Sequence, residues 1–186
     1  MTQFQQNIQD HAELLSSLSS IEPDVDAAAK AIIESLNSGG CIMLCGNGGS
    51  AADAQHIAGE FVGRFLKERR ALPSLALHTN TTVMTAIGND YSFDTVYARQ
   101  VEAHGKKTDV LIAITTSGNS ANILNAAEQA KRQGITVIGL TGGTGGKLKP
   151  LCDICICVPS DSTPRIQEMH ILIGHTLCQL AEQAIC

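Results

Sequence analysis

Two stretches of the sequence carry polar side chains at spacings that suit chemistry. His56 and Glu60 stand four residues apart in a helical pattern, so they share one helix face. Gln167, His170 and His175 lie in the otherwise apolar stretch RIQEMHILIGHTLCQL. Gln167 and His175 are turned by about 80° from each other and can converge only through side-chain reach. The imidazole and carboxylate groups suit metal binding or proton transfer, although His56 and Glu60 also fit a plain surface pair. His170 is interpreted as a partly exposed or capped histidine without a chemical role.

A glycine-rich loop comes directly before His56. In the run CGNGGSAADAQH, Gly46, Gly48 and Gly49 would let backbone amides approach an anion, and Ser50 would cap the following helix. The run also satisfies GxGxxA, a dinucleotide-binding pattern. However, the acidic residue that should close the next strand is absent, because that strand ends in LALHTN. We therefore expect a loop that binds a small anion rather than a dinucleotide.

A second loop is rich in hydroxyl groups. The run ITTSGNSAN places Thr115, Thr116, Ser117 and Ser120 around one strand-to-helix turn. Hydroxyls and free amides at a helix N-terminus form an uncharged cradle for a phosphate, whereas a simple helix cap needs only one hydroxyl. The four hydroxyls favour a phosphate site.

Asn89 and Asp90 follow Gly88 in the run AIGNDYSFD, at a predicted helix break. A carboxylate there could meet a sugar hydroxyl, but a turn with an N-capping Asp fits the residues equally well. The residue types alone leave both interpretations open.

Two further patterns resemble known sites without predicting their chemistry. The run TGGTGGKLKP has Thr141 where a P-loop has Gly and Leu148 where it has Ser or Thr, so we expect a tight turn. Cys152, Cys155 and Cys157 include a CxxC spacing typical of zinc sites, but no second pair accompanies them. Because their stretch is apolar and β-branched, buried strand cysteines are the favoured interpretation.

Apolar periodicity predicts the elements that position these loops. Helical patterns open the chain at about 2–19 and 23–38. Short, nearly continuous apolar runs, typical of strands covered on both faces, follow at 41–45, 74–78, 109–115, 135–141 and 153–158. Helical stretches alternate with them at about 50–70, 80–104 with a break near Gly88, 119–133 and 163–184.

This alternation predicts one α/β domain over 1–186. We expect a doubly wound, mainly five-stranded parallel sheet with helices on both faces over 39–186. An N-terminal helical hairpin over 1–38 stands outside the alternation and offers a packing surface for another copy of the chain. Ligands of such sheets bind at the carboxyl ends of the strands, where both loops fall.

Composition narrows the classes of function. A net charge of -5, with 3% aromatic residues and no Trp, lacks the basic and stacking groups of nucleic-acid binders. The start MTQFQQNIQDHAELL is polar and no uncharged apolar run reaches membrane-spanning length, so we expect a cytoplasmic protein without a nucleic-acid or membrane partner. Seven cysteines, mostly in apolar stretches, indicate reduced, buried thiols.

In combination, CGNGGSAADAQH, Glu60, GND at 88–90, TSGNS at 116–120 and RIQEMH at 165–170 resemble the phosphoheptose isomerases of the SIS superfamily. The resemblance covers nearly the whole chain. It implies the SIS fold and the conversion of sedoheptulose 7-phosphate to D-glycero-D-manno-heptose 7-phosphate, the first step of ADP-heptose synthesis for the lipopolysaccharide core. It also implies a homotetramer whose active sites are shared between subunits.

The resemblance further implies roles for individual residues. Substrate binding is expected at Asn47, Gly48, Gly49, Glu60, Asn89, Asp90, Thr115, Thr116, Ser117, Ser120 and Gln167. Family members that bind zinc do so at the positions of His56, Glu60, Gln167 and His175.

Isomerisation through an enediol needs a base at the carbon and an acid or base at the oxygens, and Glu60 and His175 fit these catalytic roles. Because Glu60 cannot easily be both a tight ligand and a free base, we expect one loosely bound zinc ion per subunit. The alternative is a non-catalytic SIS adaptor, since a relative with a similar RIQEMH segment binds the bacterial replication initiator. An adaptor or a sugar-phosphate sensor has no need for His56, Glu60 and His175 together, so the sequence favours an enzyme.

Overall fold

The centre of the molecule is a parallel sheet of five strands, in a computed structural model that describes residues 1–185. The strands are β1 (Ile42–Cys45), β2 (Ser74–Ala76), β3 (Val110–Ile114), β4 (Thr136–Gly142) and β5 (Ile154–Val158). They lie in the order β2-β1-β3-β4-β5, and each neighbouring pair is parallel. The predicted doubly wound fold is confirmed. Because the order reverses at β1, a crevice opens between the carboxyl ends of β1 and β3.

Helices cover both faces of the sheet. Within residues 1–185 they are α1 (Gln3–Ser17), α2 (Glu22–Asn37), α3 (Gly49–Val62), α4 (Thr81–Asp90), α5 (Ala98–His104), α6 (Ala121–Arg132) and α7 (Thr163–Ile185). Leu44 and Ile112 pack in one core with α2, α3 and α7, whereas Met43 and Leu111 pack in a second core with α5 and α6. Successive side chains of a strand point to opposite faces, so two buried faces require the nearly continuous apolar runs seen in the sequence.

The helix predicted over 50–70 is too long, since α3 ends at Val62. The backbone N–H groups of residues 65–67 donate to the Glu182 carboxylate at 2.7–3.0 Å. Glu182 also pairs with Arg69 at 3.0 Å, and each of these two side chains is only 2% exposed. Arg69 donates to the carbonyl oxygens of Phe61 and Gly63, at the end of the helix. The partner that ends α3 therefore lies on distant α7, and local periodicity does not contain it.

The break predicted near Gly88 occurs later in the chain. Gly88 lies inside α4, and the helical path is interrupted between 91 and 97, where a short 3₁₀ turn spans Phe93–Thr95. Tyr97 closes this segment, because its buried hydroxyl donates to the Gly46 carbonyl at 2.6 Å. This bond ties the end of the interruption to the glycine loop.

The helical hairpin is present as predicted, with a 3₁₀ turn at Leu18–Ile21 between α1 and α2. Helix α1 contacts α7 through His11 and Glu168, whose Nδ1 and Oε2 atoms are 2.8 Å apart. Phe4 and Ile8 on α1 are 74% and 52% exposed. In the described part of the chain, the helices are too short or too polar to span a bilayer.

The cysteines differ from the prediction of buried thiols. Cys45 and Cys178 are buried, but the prediction is wrong for four partly exposed thiols, namely Cys41, Cys152, Cys155 and Cys157. Cys155 and Cys157 lie on β5, the edge strand, where the covering layer ends. Cys186 lies outside the described residues.

Candidate active site

A cleft of about 350 Å³ lies at the carboxyl ends of β1 and β3. Both loops singled out in the sequence line it, together with the start of α7. The lining residues are Asn47, Gly48, Gly49, Ser50, Ile114, Thr115, Thr116, Ser117, Ser120, Thr163 and Gln167. Eight of the expected substrate-binding residues are thus brought together. None of the lining residues is Lys or Arg, so an anion here would be held by amides and hydroxyls.

The glycine loop is shaped to admit a neighbouring helix. Gly48, with φ at +55°, is the N-cap of α3, so the prediction that Ser50 caps this helix is wrong. Ser50 instead lies buried inside the first turn and lines the cleft. A Cβ atom on Gly49 would lie 2.6 Å from Gln167 Nε2, so the amide of Gln167 occupies the space that a side chain at 49 would take.

The hydroxyl loop keeps its groups close together. Thr115 Oγ1 and Ser120 Oγ are 3.1 Å apart, and Ser117 Oγ accepts a hydrogen bond of 3.2 Å from the Asn119 backbone N–H. Ser120 is the N-cap residue of α6, yet its hydroxyl makes no capping bond within residues 1–185. Since either hydroxyl can be the donor in the bond between Thr115 and Ser120, one of the two keeps its proton for an anion at this helix terminus.

Asn47 and Asn122 join the two loops. Each amide donates to the carbonyl oxygen of the other at 2.9 Å. Asn47 belongs to the glycine loop and Asn122 to the first turn of α6, where it is buried. The paired amides fix the separation of the two cleft walls.

The titratable residues converge farther along the same two helices. His56 and Glu60 on α3 meet His175 on α7. The His56 and His175 Nε2 atoms are 3.0 Å apart, and His56 Nε2 lies 3.3 Å from Glu60 Oε1. Donor atoms of these three residues all lie within 4.8 Å of one another, so they could hold a metal ion. Gln167, the fourth residue of the predicted metal set, lies against Gly49 in the cleft.

Two further residues border this cluster and were missed in the sequence. Asp53, three residues before His56 on α3, has a buried Oδ2 that accepts no hydrogen bond from the described residues. Burial raises the pKa of the Asp53 carboxyl, while His56 and His175 act to lower it. The Phe65 ring centroid lies 5.4 Å from that of His175. The i,i+3 spacing of Asp53 and His56 could have shown that Asp53 lies on the same helix face as the cluster. No sequence pattern pointed to Phe65, because its segment was predicted as helix.

His170 contradicts the interpretation as a partly exposed histidine. It is fully buried, and its Nε2 lies 3.0 Å from the Thr141 carbonyl oxygen, to which it donates. Burial lowers the pKa of His170 to about 4, although the bond to Thr141 opposes the shift, so the ring is neutral at pH 7. The residue joins α7 to the end of β4.

Asn89 and Asp90 do not line the cleft of their own chain as described over 1–185. Both are exposed at the end of α4, and Asn89 Nδ2 donates to Asp90 Oδ1 at 2.8 Å. Their role in substrate binding stays a prediction.

Known proteins resemble this chain over almost its full length. The SIS domain model matches residues 4–142. A phosphoheptose isomerase from Rhodospirillum rubrum is 56% identical over 175 residues, which cover 94% of this chain and 93% of the relative. Another, from Nitratiruptor sp., is 62% identical over 152 residues, covering 82% and 81%. The solved phosphoheptose isomerase of Neisseria gonorrhoeae is 40% identical with a TM-score of 0.89, covering 95% of this chain and 96% of that one. The likeness therefore includes both loops and both helices of the site.

Proposed function

Since the chain belongs to the SIS domain family and, within it, to the phosphoheptose isomerases, we propose that it converts D-sedoheptulose 7-phosphate to D-glycero-D-manno-heptose 7-phosphate. One observation carries the proposal. A cleft without cationic side chains and a cluster of His56, Glu60 and His175 lie along the same pair of helices. The first suits the phosphate, and the second suits proton transfer at the other end of the sugar.

The distance between the cleft and the cluster of His56, Glu60 and His175 supports a long substrate. Gly49 lies in the cleft and His56 in the cluster, seven positions apart on α3, which corresponds to about 10 Å along a helix axis. The cluster residue of α7, His175, is eight positions beyond Gln167, or about 12 Å. An open-chain seven-carbon sugar with its phosphate on the last carbon has a comparable length. A three-carbon sugar phosphate held in the same cleft would not reach the cluster.

In the proposed reaction Glu60 removes the proton from carbon 1 of the ketose and returns it to carbon 2. His175 moves the hydroxyl proton between the two oxygens, so that the enediol closes to the aldose. His56, 3.0 Å from His175, orients that ring. Asn47, Gly48, Gly49, Ser50 and the four hydroxyls of 115–120 hold the phosphate end.

We also propose that zinc binds at His56, Glu60 and His175. Nitrogen ligands of tetrahedral zinc, bound at about 2.0–2.1 Å, lie about 3.3–3.4 Å apart. The separations of 3.0 and 3.3 Å among these donors fit such a site after small shifts. When bound, the ion would polarise the carbonyl of the sugar. The resemblance implies Gln167 as a fourth ligand. Because Glu60 is proposed both as a zinc ligand and as the base, we propose that the ion is loosely bound.

A shared active site accounts for Asn89 and Asp90. They are exposed and do not line the cleft of their own chain, as expected of residues that complete the site of another subunit. We propose a homotetramer on this basis and on the exposed apolar residues of α1.

We further propose that the enzyme works in the cytoplasm, at the first step of ADP-heptose synthesis for the lipopolysaccharide core. The adaptor alternative is less favoured, because an adaptor does not need His56, Glu60 and His175 to converge.

The test is turnover of sedoheptulose 7-phosphate by the purified protein, with and without a chelator. We expect aldose product, and we expect Glu60→Gln to lower kcat by about 10²–10⁴-fold, the usual contribution of an acid or base. Glu68→Gln is the matched control, because the Glu68 side chain is 93% exposed. Absence of the aldose in both conditions, or wild-type turnover in Glu60→Gln, would refute the proposal.

A further inference from the structure

The hydroxyl of Tyr97 holds the start of the glycine loop. It donates to the Gly46 carbonyl oxygen at 2.6 Å, and Tyr97 is only 1% exposed. Burial raises the pKa of Tyr97, so the hydroxyl keeps its proton and remains a donor at neutral pH. Gly46 is buried, and within residues 1–185 its carbonyl oxygen accepts no other hydrogen bond. The proposed reaction uses neither of these two groups.

The surrounding structure holds Tyr97 in place. Tyr97 directly precedes α5 and packs in the second core beside Val96, which is fully buried. The Val96 carbonyl oxygen accepts a hydrogen bond of 2.8 Å from Gln100 Nε2. Asn125 of α6 donates to the Asp94 carbonyl oxygen, also at 2.8 Å. The hydroxyl therefore has a fixed position before any ligand binds, and such preorganisation lowers the free-energy cost of binding.

Gly46 connects this fixed position to the cleft. A Cβ on Gly46 would lie 2.6 Å from the carbonyl carbon of Ser50, so Gly46 packs directly on the first turn of α3. Gly48 and Gly49, two and three residues farther along, line the cleft. In the described part of the chain, their backbone N–H groups donate to no protein acceptor. Such N–H groups at the start of a helix can bind an anion, and a shift of Gly46 would move them.

We infer that Tyr97 is a positioning residue for the phosphate end of the cleft. Its hydroxyl keeps the glycine loop in the shape in which the N–H groups of Gly48 and Gly49 bind the phosphate oxygens. Tyr97 does not line the cleft, so it acts on the ligand only through the loop. The inference rests on the proposed function, because it requires that the cleft binds the phosphate of the substrate.

Tyr97→Phe isolates this role, because it keeps the ring and removes only the hydroxyl. The Gly46 carbonyl oxygen then loses its partner, and the loop must shift to bring this oxygen to water. We expect the Kd for inorganic phosphate and the KM for the proposed heptose phosphate to rise about three- to tenfold. The kcat should stay unchanged, because the variant leaves the cluster of His56, Glu60 and His175 intact. A merely structural role would lower Tm without separating KM from kcat.

The experiment combines titration calorimetry with inorganic phosphate and steady-state kinetics, and circular dichroism checks that each variant is folded. Ser35→Ala is the matched control. Ser35 Oγ also donates to a backbone carbonyl oxygen, that of Thr108 at 2.7 Å, but Thr108 lies just before β3, at the other end of the strands from the cleft. We expect Ser35→Ala to keep the phosphate affinity and KM of the wild type. A folded Tyr97→Phe with wild-type affinity, or an equal loss in Ser35→Ala, would overturn the inference.

A second measurement leaves the hydroxyl in place and does not require that Tyr97→Phe folds. The chain has two tyrosines, so protein labelled with fluorotyrosine gives a fluorine NMR signal from each, and Tyr91→Phe assigns them. We expect the Tyr97 signal to shift as inorganic phosphate binds, although Tyr97 lies outside the cleft lining. An unchanged Tyr97 signal at saturating phosphate would contradict the role of the hydroxyl.

The same titrations separate this inference from the proposed function. A wild-type protein that binds no phosphate would overturn both. A wild-type protein that binds phosphate but does not isomerise the heptose phosphate would overturn the proposed reaction alone, and the phosphate affinity of Tyr97→Phe would still decide the role of Tyr97.

Discussion

Gly49 has no side chain where α3 approaches α7, and the amide of Gln167 fills that space. The contact brings a residue from near the end of the chain into a cleft otherwise built from the ends of β1 and β3. The sequence predicted glycine's role at this position from one cause, namely that backbone amides can approach an anion closely where no side chain is present. It did not indicate that a side chain from another helix also requires the space.

Replacing Gly49 by Ala should weaken substrate binding. The new Cβ would lie 2.6–2.9 Å from three atoms of the Gln167 amide, which must turn away. Loss of one such polar contact costs about 1 kcal/mol, so we expect KM for the proposed heptose phosphate substrate to rise about fivefold. Gly59→Ala is the matched control, because nothing lies within 4 Å of its added Cβ. It should keep KM and stabilise α3 by about 0.5–1 kcal/mol. Equal KM values in both variants would contradict the role of Gly49.

His170 and Asp53 illustrate what residue types alone do not reveal. Their helices were predicted, and Asp53 shares a face with His56, but burial depends on how closely another element approaches. His170 is buried because α7 crosses the end of β4 at Thr141. Asp53 Oδ2 is buried near two histidines that come from two helices. Such depth follows from tertiary packing, which periodicity does not encode.

At the scale of elements, strands and most helices could be predicted because two covered faces leave a simple apolar pattern. The ends of α3 and α4 could not. α3 ends where Glu182 of α7 captures three backbone N–H groups, and the break after α4 ends where Tyr97 reaches Gly46. Both terminators are distant in sequence. The convergence of Gln167 and His175 on one site was predicted only through side-chain reach, because eight positions turn them by about 80° on their helix.

The Glu182 contact gives a prediction about both stability and the site. Burial opposes ionisation of Glu182, but the N–H groups of Leu66, Phe65 and Lys67, with Arg69, lower its pKa to about 2. Glu182→Gln leaves Arg69 buried without its partner charge, which should cost about 3–5 kcal/mol and lower Tm by about 10 °C. Since Phe65 lies against His175, kcat should also fall. Glu128→Gln, an exposed change on α6, should alter neither quantity.

The pH dependence of that stability follows from the sign of the shift. A carboxyl whose pKa is lower in the folded protein stabilises the fold at pH values above its ordinary pKa of 4.5. This contribution is lost as the pH falls from 4.5 toward 2. The difference in unfolding free energy between the wild type and Glu182→Gln should therefore shrink over this range in urea titrations. A difference that stayed constant from pH 7 to pH 3 would argue against the ion pair as its source.

At the scale of the whole molecule, the strand order brings the two loops together. Strands β1 and β3 are neighbours although α3, β2, α4 and α5 lie between them in sequence, so the glycine loop and hydroxyl loop face each other across one crevice. Asn89 and Asp90, which are proposed to bind substrate, lie away from this crevice on α4. Helix α1 presents an apolar surface on the outside of the same molecule. Both features are expected of a subunit in the proposed homotetramer.

Substitution of the exposed apolar residues of α1 tests that assembly. Phe4 and Ile8 are 74% and 52% exposed and line a groove with Arg165 and Glu168 of α7. Burial of such side chains contributes about 1.5–3 kcal/mol each, repeated at every copy of the contact. We expect Phe4→Ser with Ile8→Ser to reduce the mass measured by light-scattering chromatography from four chains to fewer, with unchanged helix content.

Turnover should fall with the mass if another subunit supplies Asn89 and Asp90, whereas Gln9→Ser on the same helix should change neither the mass nor the turnover. A wild-type protein that elutes as a monomer, or a double variant that stays tetrameric, would show that α1 is not the assembly surface.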